Sequence, residues 1–219
     1  MIGIFGGTFD PVHYGHLRSA LEVSETVGLS EVRFIPCHRP PHRGTPRATA
    51  RQRLEMLKTA LKNAPASFQI DTREMERPGP SFMVDTLRSL RDDLGQRPMA
   101  LIVGSDAFRG FETWHQWRDL FDLAHILIMQ RPGESSDWPQ ALAAVFKERE
   151  APGIPSLSEH PSGLITTINV TPLAISASQI RDRLAADRSA RFLTPDSVIK
   201  HIENWRLYGA KESQKTSAD

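Results

Sequence analysis

Residues 6–16 read Gly-Gly-Thr-Phe-Asp-Pro-Val-His-Tyr-Gly-His and follow a short apolar run, Met1-Ile2-Gly3-Ile4-Phe5. The chemistry is concentrated in His13 and His16. Spaced i and i+3 at a helix start, they share one face, and imidazole N–H groups there can donate to phosphate oxygens where charge builds up during reaction. Gly6, Gly7 and Gly15 let backbone approach a ligand, and the N–H groups around Thr8, Phe9 and the helix start would make an anion cradle. Alone, a glycine pair after a strand is as readily a tight turn, and a helical histidine is more often a packing residue. A histidine pair could also suggest a metal. However, no cysteine or carboxylate stands at ligand spacing, and Asp10 precedes a proline in a turn, so no protein-bound metal is expected. The string as a whole favours nucleotide chemistry.

A second group lies about 160 residues further on, at Ile175-Ser176-Ala177-Ser178-Gln179-Ile180-Arg181. Ser176 and Ser178 can cap a helix and direct hydroxyls and amides at a phosphate, and Arg181, one turn on, adds a permanently charged fork of donors. By itself this segment also reads as an ordinary capped helix with a surface arginine. Three weaker stretches carry polar or aromatic groups. Pro40-Pro41-His42-Arg43 offers cationic donors on a proline-restrained loop, or a plain solvated basic loop. Ser81-Phe82-Met83-Val84-Asp85-Thr86-Leu87 is a helix start that could present amides to a carboxylate, or simply a cap. Gly104-Ser105-Asp106 and Thr113-Trp114-His115-Gln116-Trp117 offer a hydroxyl acceptor in Asp106 and a ring for stacking; Trp114 is assigned to a ligand and Trp117 to packing.

The first string resembles the signature of the nucleotidyltransferase superfamily, in which a His-x-Gly-His element binds the phosphates of ATP. Ile175–Arg181 is similar to the Ile-Ser-x-Ser-x-Ile-Arg motif of adenylyltransferases in that superfamily. The three weaker stretches look like the bacterial nicotinate mononucleotide adenylyltransferase family, with Arg43 where that family often has lysine. The matches span residues 6–181. The resemblance implies transfer of the adenylyl group of ATP to nicotinate mononucleotide, with release of pyrophosphate, in NAD biosynthesis. It places His13 and His16 around the α-phosphate and Arg181, Ser176 and Ser178 on the β- and γ-phosphates. Gly104, Ser105 and Ile175 join the ATP side, whereas His42, Arg43, Ser81, Thr86, Asp106, Trp114 and Arg131 fall to the mononucleotide. Magnesium is expected with ATP, held mainly by phosphates and water. Related chemistries share the first motif: phosphopantetheine adenylyltransferases, cytidylyltransferases and class I aminoacyl-tRNA synthetases. A catalytically dead nucleotide sensor would be expected to lack a histidine or the arginine, and His13, His16 and Arg181 are all present.

Composition bounds these readings. The chain has 219 residues, 39% hydrophobic and 24% charged, with a formal net charge of +1, which suits a globular α/β protein and argues against an extended nucleic-acid surface. Cys37 is the single cysteine, so no intrachain disulfide can form and a reducing compartment, the cytoplasm, is expected. No apolar run reaches membrane length, and no membrane partner is expected.

Strand and helix patterns alternate along the chain. Strands are predicted at residues 1–5, Glu31–Pro36, Phe68–Asp71, Ala100–Val103, Ile126–Met129 and Leu164–Val170. Helices are predicted from His13 to Val27, over Arg51–Ala64, from a Ser81 cap through Leu94 to Gly95, and from Thr194-Pro195-Asp196 to about Leu207. This order implies an α/β fold with a doubly wound, mostly parallel sheet, Rossmann-like by the resemblance. We expect one domain over residues 1–209, with a small C-terminal helical extension over about 176–209 and a polar tail at 210–219. In such a sheet, loops beyond the carboxyl ends of the strands build the ligand site. The glycine string, Gly104–Asp106, Arg131 and Thr171–Ser178 would converge there.

Overall fold

The computed structural model describes residues 1–41, 44–133, 135 and 137–210. Six strands, β1 (Ile2–Gly7), β2 (Glu31–Pro36), β3 (Phe68–Ile70), β4 (Met99–Gly104), β5 (His125–Gln130) and β6 (Ile165–Asn169), form one sheet in the order β3-β2-β1-β4-β5-β6. Every neighbouring pair is parallel. Parallel strands need crossover connections, and helices supply them: α1 (Tyr14–Val27), α2 (Ala50–Leu61), α3 (Arg73–Glu76), α4 (Met83–Leu94), α5 (Ser105–Arg109), α6 (Leu120–Leu123) and α7 (Gln140–Arg149). Then α8 (Ala177–Ala185) and α9 (Asp196–Asn204) close the chain.

Both faces of the sheet are buried, so its strands are apolar runs rather than alternating ones. Ile2, Ile4, Leu101, Val103, Ile126 and Ile128 pack on one side with Val84, Leu87 and Leu90 of α4 and with Phe108, Phe111 and Phe121. Phe5, Val32, Phe34, Ile102 and Leu127 pack on the other with Ala20 and Val23 of α1, Met56 and Leu57 of α2, and Val198 and Ile202 of α9. The strand order reverses between β1 and β4, and the loops leaving these two strands open a crevice at the carboxyl edge.

The structure departs from the sequence reading in several places. Gly6 and Gly7 are not a turn; they extend β1 in register with Ile35 and Pro36. A side chain at Gly7 would place its Cβ 2.8 Å from the Phe9 ring, so glycine here lets the following loop fold back over the strand end. Thr49 caps α2, accepting from the Gln52 N–H at 3.2 Å while the Gln52 side chain takes the Thr49 N–H. The buried side of α2 includes Arg53 as well as Met56 and Leu57. Ser81 does not cap α4, because its hydroxyl accepts the N–H groups of His38 and Arg39 instead. Trp114 and Trp117 share no helix: Trp114 follows a single turn at Phe111–Thr113, and Gln116, with φ 50°, turns the chain before Trp117. The short helices α3, α5 and α6, and α7, carry no pattern strong enough to have been predicted. The expected polar tail, apart from Ala210, lies outside the described residues.

Candidate active site

A cleft of about 930 Å³ runs along the carboxyl edge of the sheet. Its walls bring together the strand end Gly6-Gly7, the following Thr8 and Phe9, the start of α1, the Gly104–Asp106 turn, Arg131 after β5 and the Ile175–Arg181 segment. Ser81 and Trp114 line its far end with Phe82, Met83, Pro40 and Pro41. His42 and Arg43 lie outside the described residues.

His13 and His16 are fixed by α1. His13 is the N-cap, in extended conformation, and His16 is the third helical residue. His16 reaches back so that its Nδ1 accepts the His13 backbone N–H at 3.2 Å, as a glutamate does in a capping box. A neutral His16 therefore carries its proton on Nε2, where it is a donor. The two rings stack with centroids 3.7 Å apart. Gly15 between them has no freedom to be anything larger, since a Cβ would lie 2.9 Å from His13 Nδ1 and 3.3 Å from the Ile175 carbonyl. That contact explains the glycine in the His-Tyr-Gly-His string: it seats His13 and lets the Ile175 loop close on α1.

His13 is 6% exposed, its Nδ1 has no hydrogen-bond partner among the described residues, and burial lowers its pKa to about 4. Burial lowers that of His125 too. Neutral in the folded state, both take up protons more readily when the chain unfolds, so the unfolded state binds more protons between the two pKa values. Stability should therefore fall as pH drops from about 6.5 towards 4, by up to about 3 kcal/mol from His13 alone. Urea melts at pH 7 and pH 5 check this, and a His13→Gln variant should lose much of the difference. Equal midpoints at the two pH values would contradict it.

Ser176 caps α8, accepting the Gln179 N–H at 3.1 Å. Ser178 accepts from Arg181 Nη2 at 3.1 Å, and Arg181 Nη1 donates to the Asp10 backbone carbonyl at 2.7 Å. Its Nε is buried and has no hydrogen-bond partner among the described residues. Asp10, which the sequence presents only as a turn residue, is the centre of a network. Its carboxylate accepts the N–H groups of Arg47 at 2.9 Å and Ala48 at 3.1 Å, and the Tyr208 hydroxyl at 2.7 Å. The histidine segment is also held from the C-terminal part: the Tyr14 N–H donates to the Leu193 carbonyl, and the Thr194 hydroxyl to that of Val12 at 2.7 Å.

Beneath the cleft, Arg53 is 1% exposed. Its guanidinium donates to the carbonyls of Thr8 at 2.6 Å, His38 at 3.2 Å and Ala48 at 3.4 Å, tying the loop after β1 to the chain on both sides of the proline-rich loop. Burial pulls its pKa down, while Cys37, Asp10, Tyr208 and Glu74 nearby oppose that shift; an arginine nonetheless stays charged. Its spacing with Met56 and Leu57 places it on the apolar stripe of α2, the one signal that could have marked it in the sequence.

The structure corrects the placing of Thr86. It is fully buried, one layer behind the cleft wall, and its hydroxyl donates to Glu74 Oε1 at 2.7 Å while receiving Arg77 Nη2 at 3.1 Å. Glu74, itself 3% exposed, reaches the cleft, and burial raises its pKa. Nothing in the sequence distinguished Glu74 from its exposed neighbours. Burial also pushes the Cys37 thiol up to about 11, which makes it a poor nucleophile at neutral pH. Trp114 is half-buried against Phe111, ring centroids 4.6 Å apart, with its other side on the cleft. Trp117 is buried in the core against Phe121. Asp106 and Arg131 are exposed on the cleft rim, and Ser105 is buried at its floor.

The cytidylyltransferase-like family model matches residues 4–183 of this chain. A Methylococcus capsulatus protein named "Probable nicotinate-nucleotide adenylyltransferase" is 50% identical over 208 residues, which is 95% of this chain and 99% of that one. A Dechloromonas aromatica protein of the same name is 50% identical over 211 residues, 94% of this chain and 97% of its own. Among solved structures, the Plasmodium falciparum nicotinic acid mononucleotide adenylyltransferase complexed with NaAD shares the fold, with a TM-score of 0.69 over 95% of this chain and 97% of that one at 18% identity. The chain belongs to the cytidylyltransferase-like family and, within it, to the nicotinate-nucleotide adenylyltransferases.

Proposed function

We propose that this cleft transfers the adenylyl group of ATP to nicotinate mononucleotide, giving nicotinate adenine dinucleotide and pyrophosphate. The observation that carries the reading is the meeting, across one cleft, of the stacked His13–His16 pair and the Ser176–Arg181 segment. The 5′-phosphate of the mononucleotide is already ionised, so it attacks the α-phosphorus of ATP in line without a protein nucleophile. The work left to the protein is positioning and stabilisation of charge.

His16 donates from Nε2 to the α-phosphate as charge builds, and His13, neutral and packed on Gly15, holds the His16 ring in place. Arg181 and Ser178 take the β- and γ-phosphates of the leaving pyrophosphate. Gly104 and Ser105, where β4 passes into α5, support the adenosine part. At the other end, α4 starts without a side-chain cap at Phe82, which leaves its first-turn amides for the pyridine carboxylate. Trp114 stacks on the ring, and Asp106 accepts from ribose hydroxyls. The described residues gather no group of three or more metal-ligating side chains; magnesium would take its oxygens from the triphosphate and water, neutralising phosphate charge.

Trp114→Ala should raise the KM for the mononucleotide by about tenfold through lost stacking and apolar contact, with the KM for ATP little changed. Steady-state kinetics with each substrate varied in turn checks this, and an unchanged mononucleotide KM would return Trp114 to a packing role. The function itself is tested by pyrophosphate release with ATP and magnesium, comparing nicotinate mononucleotide, nicotinamide mononucleotide and phosphopantetheine. Release chiefly with the first supports the reading. Release only with phosphopantetheine would keep the chemistry and overturn the second substrate.

A further inference from the structure

Tyr208 lies 25 residues beyond the last position matched by the family model, residue 183. It sits in the short turn Leu207–Gly209 that follows α9, and its backbone is at φ 60°, ψ 20°. An aromatic residue in the left-handed region is strained, and such strain persists only where the surrounding structure over-determines it. The neighbours share the conformation: Arg206 has φ 50° and Gly209 φ 81°. Gly209 also presses on Ala185 of α8, where a Cβ would lie 3.3 Å from the Ala185 Cα. The turn is thus folded tightly against the helix that carries Arg181.

What the strained turn achieves is the placing of one hydroxyl. Tyr208 is 6% exposed, and its Oη donates to Asp10 Oδ1 at 2.7 Å across 198 residues of chain. Asp10 stands at the junction of the two halves of the cleft. Through its carboxylate it holds the Arg47 and Ala48 amides, the return leg of the proline-rich loop. Through its backbone carbonyl it holds Arg181 Nη1. Turning the Asp10 side chain would release the first and shift the second. We infer that Tyr208 is a positioning residue of the active site, acting through Asp10 to set Arg181 for the ATP phosphates and the 47–48 segment for the mononucleotide. The assignment of each half to its substrate rests on the function proposed above; the link from Tyr208 to Asp10 does not.

Tyr208→Phe removes the hydroxyl and keeps the buried ring, so the packing is preserved. In the full-length protein the KM for ATP should rise by about fivefold to tenfold, the worth of one ordinary hydrogen bond, with kcat changed much less. Hydrogen exchange at the Arg47 and Ala48 amides should quicken in the same variant without substrate. Replacing Tyr208 by 4-aminophenylalanine, which keeps a donor in the same place, should restore both readouts. A purely structural role would lower the melting temperature and the active fraction, and hence apparent kcat, and leave the KM values alone. Unchanged KM values and unchanged exchange at residues 47 and 48 would overturn the inference. Wild-type protein that binds ATP but makes no pyrophosphate with nicotinate mononucleotide would instead overturn the proposed function. The Tyr208 test would then be read from the ATP dissociation constant and the exchange rates.

Discussion

His16→Ala should lower kcat by about a hundredfold or more while the protein remains folded. The loss follows from removing a donor that acts on charge developing in the transition state, in a cleft where such donors are already oriented. His16 is oriented by its own helix: Nδ1 is occupied by the His13 N–H, so a neutral ring carries its proton on Nε2, the donor that the proposed reaction uses. The same contact sets the expected cost to folding, about 1 kcal/mol for a lost helix-start interaction. The two effects separate cleanly. Turnover at saturating ATP and mononucleotide gives the first, and a thermal melt gives the second. His16→Gln, which can still donate, should fall between wild type and alanine. A folded His16→Ala protein with near-normal kcat would remove His16 from the chemistry and leave it as a helix cap.

The second large effect concerns stability. Arg53→Met should destabilise the protein by about 3–5 kcal/mol, because three carbonyls at the loop bases lose their donor and two buried carboxyl groups lose their nearby cation. Methionine fills much of the volume, so the cost is polar rather than a cavity. In a chain of 219 residues this corresponds to a fall in melting temperature of roughly 10 °C. Arg53→Lys keeps the charge without the planar fork that reaches Thr8, His38 and Ala48 together, and should recover only part of the loss. Urea unfolding of the three proteins decides it. A methionine variant within 1 kcal/mol of wild type would mean that water satisfies those carbonyls equally well.

The contrast between these two residues shows how much of the site was legible in the sequence. His13, His16, Ser176, Ser178 and Arg181 stand in short strings whose residue types carry their own chemistry, and the alternation of apolar runs and amphipathic stretches placed both strings at one edge of a parallel sheet. The split of Trp114 from Trp117 was also readable, although the reason was not: the two lie on separate turns broken at Gln116, rather than on one helix. Arg53, Glu74 and Tyr208 could not be found this way. Glu74 and Tyr208 look like ordinary members of their helix or turn, Arg53 is marked only by its place on the apolar stripe of α2, and the importance of each comes from partners on other elements. Thr86 shows the reverse case: its hydroxyl suits a helix start, yet it is buried behind the cleft wall and taken by Glu74. Ser81 lines the cleft, but its hydroxyl accepts the His38 and Arg39 amides rather than capping a helix. Local pattern identifies which groups could do chemistry, and long-range hydrogen bonds decide which of them face the ligand.

The contacts that brace the histidine segment span 182 residues from Val12 to Thr194 and 198 from Asp10 to Tyr208. In a chain made from its N-terminus, the first nucleotide-binding string is complete long before Thr194 and Tyr208, the residues that brace it, are added. Closing contacts of this length is slow relative to local helix formation and costs loop entropy that only the finished sheet can offset. Bracing of the histidine segment is therefore a late step in synthesis, and a product cut short before α9 would carry the recognisable motifs without Tyr208 to hold Asp10.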